Sequence, residues 1–558
     1  AAWLLALYVA VADEQGAPRT ALRGTTQNDI LKEYLSRGTY AFPPDPSIRL
    51  TADTIEFTGR EMPKWNPVNV CSYHLQEAGA GPVSEIAYTL ANAICYLDAV
   101  RDRGMLTPER VGAISFFCNA GIRFVEEMCK LRAFGVLWDR ITRERYGVED
   151  ERLRRFRYGL QVNSLGLTAS QPENNVYRVL LEMLGPTLSK NGRARAVQLP
   201  AWNEALGLPR PWDQQWSLRA QQILAYETDL LEYEDLFEGS TVVQAKVDEL
   251  VEAAQSELDR VLELGGSLKA LQSMKEQLVT EHARRLRAID AGDTTVVGVN
   301  AFEMTEPSPL LGDGDMHILK VSAETQAEQV ERLEQFRAGR DPRAVSGALD
   351  ALRRCAASGE NVMPASIEAA KAGVTTGEWA GALREVFGDY RAPTGVGAGS
   401  PSTLPGSESL VEARRRVAEA ASRLGVPRLR MLVGKPGLDG HSNGAEQVAV
   451  RARDLGIEVV YPGIRLTPAE VAGIAADEDV HLVGLSVLSG AHDLVVPEVI
   501  DALRARGVDP ARVPVVVGGI IPDDDASKLL ELGVARIFTP KDHDLTRNLV
   551  ESAGLVGR

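Results

Sequence analysis

Five short β-rich segments that recur at regular intervals after residue 426 constrain the fold most strongly. They read RLRMLVG, GIEVVYPG, VHLVGLSVL, VPVVVGG and VARIFTP, and helical stretches separate them. Strands that alternate with helices pair in parallel, because each crossover helix returns the chain to the same end of the sheet. The pattern predicts a doubly wound, flavodoxin-like α/β domain over residues 426–558, with any ligand bound at the carboxyl ends of its strands.

Three loops at that predicted edge combine polar residues and glycines. The loop after the first strand reads KPGLDGHSNGAEQ, and the third and fourth strands end in S-x-L and G-G motifs. The residues concerned are Lys435, Asp439, His441, Gly444, Ser486, Leu488, Gly518 and Gly519. A histidine two positions after an aspartate can donate one ring N–H to that carboxylate and offer its other nitrogen to a metal. Paired glycines let a bulky group approach the backbone.

The upstream sequence predicts two further regions. Residues 1–243 mix helical and strand-like segments, which indicates an α/β layer or barrel. The long charged helical pattern of 244–338 predicts a solvated helical connector, and the Gly, Pro and Ser of 389–409 predict a flexible boundary. We therefore expect a largely helical linker over 244–425. The opening segment AAWLLALYVAVADEQG is predicted to be a buried helix, because its apolar run is too short to span a membrane.

Composition narrows the function classes. A chain of 558 residues is expected to form two or three domains. Its net charge of −16 argues against nucleic acid as the main partner. The five cysteines are scattered and form no CxxC pair, which favours free thiols in a reducing cytosol over disulfides or a metal site. We expect a cytoplasmic protein that binds neither nucleic acid nor membrane.

The motifs of the C-terminal domain together resemble the cobalamin-binding domain of the adenosylcobalamin-dependent acyl-CoA mutases. The resemblance implies adenosylcobalamin as the cofactor and His441 as the lower ligand of its cobalt, with Asp439 and Lys435 in the same network. The residues implied to line the slot for the displaced nucleotide tail are Gly444, Ser486, Leu488, Gly518 and Gly519, with Thr539 of FTPKD touching that tail. Methyltransferases, corrinoid carriers and cobalamin-dependent regulators share such a domain, so it does not decide the reaction.

Two segments of the N-terminal region, GTTQNDILKEYLSRGTYAFPP and YHLQEAGA, resemble the substrate barrel of the same family, a (β/α)8 TIM-type barrel. The resemblance implies that Gln27 and His74 hydrogen-bond the acyl-CoA, with His74 at the thioester carbonyl. It implies that Tyr73 stands between corrin and substrate. Arg37 is implied to clamp a free carboxylate, which a guanidinium matches with two parallel hydrogen bonds. A dicarboxylic acyl-CoA is the expected substrate.

Glutamates near these segments are further candidates. Family members place a glutamate near the adenosyl group at the position of Glu204, and Glu77 follows the YHLQ motif. A solvated carboxylate at the start of a helix explains either residue equally well.

The stretch FRYGLQVNS indicates which acyl group the protein accepts. Methylmalonyl-CoA mutases tend to read R-A-H-x-Q-T-S there, whereas this chain carries Arg157, Gly159 and Gln161 at the corresponding places. Glycine in place of histidine removes volume and a hydrogen-bond donor, which reshapes the pocket to admit an added carbon. The stretch resembles the ethylmalonyl-CoA mutases, although Gly159 could also serve backbone packing alone.

The expected function is therefore a radical isomerase that interconverts ethylmalonyl-CoA and methylsuccinyl-CoA. Conversion of methylmalonyl-CoA to succinyl-CoA is one alternative, and a non-catalytic cobalamin-binding regulator or carrier is another. The resemblance also implies a homodimer and a reactivation chaperone. Because the barrel of the family begins well before the point that matches Ala1, we expect its earliest part to be absent from this chain.

Overall fold

The computed structural model describes residues 1–192, 194–206, 209–304, 323–396, 408–440, 442–488, 490–539, 542 and 544–557. His441 and residues 397–407 of the expected flexible boundary lie outside these ranges.

The N-terminal region alternates helices with short parallel strands. Its strands are β1 (Gly24–Thr25), β2 (Trp65–Asn66), β3 (Asn69–Cys71), β4 (Ser115–Ala120), β5 (Tyr158–Val162) and β6 (Val197–Gln198). Its helices are α1 (Ala2–Glu14), α2 (Pro44–Glu61), α3 (Tyr73–Glu77), α4 (Pro82–Arg101), α5 (Pro108–Gly112), α6 (Phe124–Glu144), α7 (Glu151–Arg154), α8 (Asn174–Leu188), α9 (Pro211–Tyr226), α10 (Thr241–Glu263) and α11 (Ser267–Asp290). Strands β3 to β6 form a parallel sheet in that order, and β1 pairs in parallel with β2. The expected α/β layer with parallel pairing is present.

The two faces of this sheet differ in burial. In β5, Tyr158 and Leu160 are buried, whereas Gly159 and Gln161 are only half-buried. Side chains alternate between faces along a strand, so Gly159 and Gln161 share one face with Phe117, which pairs with Gly159 across β4 and β5. The more buried face packs under helices, and the half-buried face is the one that can meet a ligand.

Helices α10 and α11 belong to the core of the N-terminal region, which corrects the expectation of a solvated connector from residue 244. Val247, Leu250, Leu258, Met274 and Leu278 are buried in the same hydrophobic cluster as β4 and β5. The apolar residues recur with the spacing of a helix face, and that face packs against the N-terminal sheet and its helices because burial of apolar surface stabilises the fold.

The middle of the chain is helical. Its helices are α12 (Ala323–Ala338), α13 (Pro342–Ser358), α14 (Val362–Lys371) and α15 (Thr376–Phe387). The last three share a core with α1, in which the rings of Trp3 and Trp379 stack with centroids 5.6 Å apart. The opening segment is therefore a helix with a buried face, as expected. Nowhere in the described ranges does a helix combine the length and apolarity needed to cross a membrane.

The C-terminal domain is a parallel sheet with helices on both faces. Its strands are β7 (Arg430–Pro436), β8 (Glu458–Val460), β9 (Ile464–Leu466), β10 (Leu482–Val487), β11 (Val515–Gly519) and β12 (Arg536–Phe538). Its helices are α16 (Glu408–Leu424), α17 (Asn443–Asp454), α18 (Pro468–Asp477), α19 (His492–Ala505), α20 (Asp523–Glu531) and α21 (Leu545–Ala553). The spatial order is β12-β11-β10-β7-β8, and the short β9 pairs with the end of β7. All five predicted strands are present in the flavodoxin-like order, and the order reverses beside β7, where such sheets bind ligands.

Buried charges hold the C-terminal domain against the N-terminal region. Lys275 Nζ of α11 lies 2.6 Å from Glu446 Oε1 of α17, and both side chains are only 4% exposed. Arg287 of α11 pairs with Asp454 of α17 at 2.9 Å. The two pairs join the earlier and later parts of both helices in the same order, so α11 and α17 run side by side in parallel.

Candidate functional site

A cavity of about 290 Å³ opens at the carboxyl edge of the C-terminal sheet. Six residues predicted from the sequence contribute to its wall: Gly444, Ser486, Leu488, Gly518, Gly519 and Thr539. Val433, Phe538 and Leu549 supply apolar surface between them. Four chain segments that are distant in sequence, at the ends of β7, β10, β11 and β12, therefore meet in one slot.

Glycine is required at different positions of this slot for different structural reasons. A Cβ atom at Gly519 would overlap the carbonyl group of Val487, so the neighbouring strand itself requires glycine there. A Cβ at Gly444 would meet nothing within 4 Å, and one at Gly518 would meet only a carbonyl oxygen at 3.9 Å. Side chains at Gly444 and Gly518 would occupy open space in the slot, so these two glycines keep it accessible to a bulky ligand. The slot fits an extended group such as a nucleotide tail.

Asp439 is fixed by a buried lysine. Lys435 Nζ donates to Asp439 Oδ2 at 2.6 Å, and the two side chains are 0% and 3% exposed. The backbone N–H of Leu488 donates to the same oxygen at 3.3 Å. Burial lowers the pKa of Lys435, and the charge of Asp439 opposes this effect. Because His441 lies outside the described residues, its expected contact with Asp439 stays a prediction.

The loop that carries Asp439 packs directly on the N-terminal region. A Cβ at Gly440 would lie 2.8 Å from the carbonyl oxygen of Arg37, so glycine permits this approach. Asn443 Nδ2 donates to the carbonyl oxygen of Glu77 at 3.1 Å. The predicted cofactor loop therefore touches the two segments predicted to bind the acyl-CoA.

His74 is oriented by a buried thiol. It lies in α3, directly after β3, and its Nδ1 is 3.2 Å from Cys71 Sγ. Burial raises the pKa of Cys71 to about 12, so the thiol keeps its proton at neutral pH and can donate it to Nδ1. When the thiol donates to Nδ1, the imidazole carries its proton on Nε2, which is the tautomer that can donate to a carbonyl oxygen. Gln27 Nε2 lies 3.9 Å from the same sulfur, so the structure brings Gln27 and His74 together.

Tyr73 links the second group of predicted residues. Its hydroxyl donates to Glu77 Oε1 at 2.5 Å, and Ser164 Oγ donates to the same oxygen at 3.2 Å. Burial raises the pKa of Glu204, the negative charge of Glu77 raises it further, and a hydrogen bond from Ser164 lowers it. Both candidate glutamates therefore lie beside Tyr73, whose ring contacts that of His74 edge-on at 4.9 Å.

Of the remaining predicted residues, Gly159, Gln161 and Arg37 lie on the side of the candidate site, whereas Arg157 does not. Gly159 and Gln161 lie on the half-buried face, and Gln161 pairs in register with Asn119, whose amide donates to the carbonyl of Tyr73 at 3.4 Å. Arg37 is half-buried, and its guanidinium makes no hydrogen bond or ion pair within the described part of the chain.

Arg157 lies apart from this cluster. It precedes β5, at the amino end of the sheet, and its guanidinium donates to Asn66 Oδ1 and to the carbonyl of Ile114, both at 3.2 Å. It also donates to the carbonyl of Gly112. The guanidinium therefore joins loops at the amino end of the sheet, opposite the end that carries Tyr73 and His74. This geometry supports a structural role for Arg157.

Sequence reasoning missed a buried network behind Tyr73 and His74. The fully buried Lys130 pairs with Glu85 at 2.6 Å and with Glu127, and donates to the carbonyl of Asn119 at 2.9 Å. Ser72 Oγ donates to Glu85, and Gln76 Nε2 donates to Glu127. The signal available in the sequence was Glu127 and Lys130, two charged residues three positions apart on the mostly apolar stripe of α6. The network fixes the residues on both sides of Tyr73 and His74.

Comparison with known proteins agrees with this geometry. The family model of methylmalonyl-CoA mutase matches residues 1–389, and that of the B12 binding domain matches residues 429–547. The ethylmalonyl-CoA mutase of Cereibacter sphaeroides is 59% identical, over 100% of this chain and 85% of that protein. The ethylmalonyl-CoA mutase of Methylorubrum extorquens is 58% identical over 100% and 81%, and the methylmalonyl-CoA mutase of Cereibacter sphaeroides is 38% identical over 96% and 74%.

Together with these matches, the flavodoxin-like domain docked on a parallel α/β region identifies the class as the cobalamin-dependent acyl-CoA mutases. The chain belongs to the methylmalonyl-CoA mutase family, whose members are isomerases. The resemblance, the isomerase class and the adenosylcobalamin cofactor expected from the sequence are thereby confirmed.

Proposed function

We propose that this protein interconverts ethylmalonyl-CoA and methylsuccinyl-CoA with adenosylcobalamin as cofactor. The observation that carries the proposal is the 59% identity, along the whole chain, to a relative named for ethylmalonyl-CoA, compared with 38% to one named for methylmalonyl-CoA. Gly159, which stands where methylmalonyl-CoA mutases tend to carry histidine, supports the same substrate. We further propose that β1 to β6 form part of a (β/α)8 barrel around the acyl group.

The cofactor is held by the C-terminal slot and its neighbouring loop. We assign its nucleotide tail to the space kept open by Gly444 and Gly518, with Ser486 as a polar contact and Thr539 at the rim. His441 is assigned as the cobalt ligand, and Lys435 and Asp439 hold the loop that carries it. When bound, adenosylcobalamin supplies a carbon-centred radical.

The N-terminal residues position the substrate and shield it. His74 donates Nε2–H to the thioester carbonyl, where a donor stabilises developing charge. Arg37 binds the free carboxylate of a dicarboxylic acyl group, because a planar guanidinium matches that anion. Gln27 and Gln161 offer amides on the same side.

Tyr73 is assigned to the boundary between substrate and cofactor, and Glu77 and Glu204, which lie beside its hydroxyl, would adjoin the bound cofactor. Arg157 is assigned a structural role at the amino end of the sheet.

Turnover tests the proposal. The protein is incubated with adenosylcobalamin and ethylmalonyl-CoA, and methylsuccinyl-CoA is sought by mass spectrometry, with a cofactor-free sample as the control. We expect product only with cofactor. A protein that binds cobalamin but forms no product from ethylmalonyl-CoA or methylmalonyl-CoA would be a regulator or carrier instead. The homodimer and the reactivation chaperone stay predictions, and light scattering of the purified protein tests the former.

A further inference from the structure

Three residues form a row across one face of the N-terminal sheet, of which Cys71 is buried and Phe117 and Gly159 are half-buried. Cys71 of β3 pairs with Phe117 of β4, and Phe117 pairs with Gly159 of β5. Because paired residues of neighbouring parallel strands point to the same face, the side chains of Cys71 and Phe117 lie side by side, and position 159 is next to Phe117 on that face. Cys71 contacts His74, so the row begins directly beside the residue that is assigned to the thioester carbonyl.

Phe117 leans on Gly159. A Cβ atom at position 159 would lie 3.3 Å from Phe117 Cδ2 and 3.4 Å from Cε2. These separations are shorter than ordinary carbon contacts of 3.5 to 4.0 Å. A Cβ atom at position 159 would therefore require the aromatic ring to move by a few tenths of an ångström, and a larger side chain would require more.

The Phe117 ring also contacts Tyr73. The two ring centroids are 6.4 Å apart, and the planes meet at 60°. A side chain at position 159 would displace the Phe117 ring away from β5. The space between the row and the Tyr73–His74 pair would then shrink.

We infer that Phe117 is a specificity-determining residue, whose ring rests on Gly159 and thereby leaves room beside Tyr73 for the longer acyl branch of ethylmalonyl-CoA. The inference rests on the proposed function and adds a residue to it. Glycine at position 159 acts indirectly, because it determines where the Phe117 ring lies. The physical cause is steric, and no change of charge is involved.

A double-variant cycle tests this coupling. The ratio of kcat/KM for ethylmalonyl-CoA to kcat/KM for methylmalonyl-CoA is measured in wild type, Gly159→Ala, Phe117→Leu and the double variant, all as holoenzyme. Gly159→Ala is expected to lower the ratio about tenfold, within the range that one methylene commands in an apolar pocket. In the Phe117→Leu background the same change is expected to alter the ratio less than twofold, because no ring remains to be displaced. Circular dichroism confirms folding, and Phe117→Met replaces Phe117→Leu if the latter does not fold.

Val197→Ala is the matched control. Val197 is half-buried on β6 and pairs with Leu160, outside the row. The control is expected to keep the wild-type ratio. An equal effect of Gly159→Ala with and without the ring, or an unchanged ratio in Gly159→Ala, would overturn the inference. Failure of the wild type to convert either substrate would instead refute the proposed function, so the two failures are distinguishable.

Discussion

Lys435 and Asp439 form a buried ion pair in the loop that follows the first strand of the C-terminal sheet. The ammonium donates to the carboxylate at 2.6 Å, and neither side chain is more than 3% exposed. The same carboxylate oxygen accepts the backbone N–H of Leu488 from the loop after β10. One carboxylate thus ties the loop after β7 to the loop after β10, which fixes the part of the first loop that precedes position 441.

Asp439→Asn is expected to weaken cobalamin binding by about 10-fold to 100-fold, the range seen when the outer partner of a metal ligand is removed. The neutral amide leaves the buried Lys435 without its counter-charge and loosens the loop. Titration of the protein with cobalamin, followed by absorbance, measures the affinity. Glu412→Gln is the control, because it breaks an ion pair with Arg415 in which both partners are about half exposed. Wild-type affinity in Asp439→Asn would contradict the assigned role.

His74→Ala is expected to lower kcat by about 10²-fold to 10³-fold, the loss typical of a deleted donor to a developing negative charge. Cys71→Ala should lower kcat less, because the imidazole remains but its tautomer is no longer fixed. Cys71→Ser should retain more activity than Cys71→Ala, since a hydroxyl can still donate to Nδ1. Steady-state kinetics with ¹⁵N NMR of the imidazole checks both statements. Equal activity of the two Cys71 variants would contradict the proposal that the thiol orients His74 by donating to Nδ1.

His282 predicts a pH dependence of stability. Burial lowers the pKa of this imidazole to about 4, and the nearby charge of Arg285 adds to the effect. The unfolded chain binds a proton near pH 6.5, so between pH 6.5 and 4 the unfolded state holds more protons than the native state. Stability is therefore complete above pH 6.5 and falls as the pH drops toward 4, by up to about 3 kcal/mol.

Urea unfolding between pH 7 and pH 4 measures this loss. His282→Gln cannot titrate, so its free energy of unfolding should fall less than that of the wild type over the same range. Parallel pH curves for the two proteins would show that His282 is not the responsible group.

Lys275→Met is expected to destabilise the contact between α11 and α17 by about 3 to 5 kcal/mol, because it leaves Glu446 buried and charged without a partner. Protease cleavage between the N-terminal region and the C-terminal domain should become faster. Added cobalamin should slow this cleavage less than it does in the wild type. The double variant Lys275→Met, Glu446→Leu should recover most of the loss, because an apolar pair of similar volume replaces the ions. A double variant as unstable as the single one would contradict this explanation.

The local patterns of the sequence were sufficient for the C-terminal domain. Strand periodicity placed β7, β8, β10, β11 and β12, and the motifs at the strand ends placed the residues of the slot, because both depend on neighbours along the chain. Strand β9 was not foreseen, since its three residues pair only with the end of β7.

Long-range packing could not be predicted in the same way. The charged surface of α10 and α11 suggested a solvated connector, but their buried stripes pack on the N-terminal core. Arg157 belongs to the stretch that resembles the family and was expected near the substrate, yet its side chain lies at the amino end of the sheet. The Lys130 network and the contact between Phe117 and Gly159 depend on pairs that only the folded chain brings together.

A competition assay tests the central claim most directly. Equal concentrations of ethylmalonyl-CoA and methylmalonyl-CoA are mixed with the wild-type protein and adenosylcobalamin, and both products are followed by mass spectrometry. We predict that methylsuccinyl-CoA forms faster than succinyl-CoA and that neither forms without the cofactor. Faster formation of succinyl-CoA would contradict the assignment of ethylmalonyl-CoA as the preferred substrate.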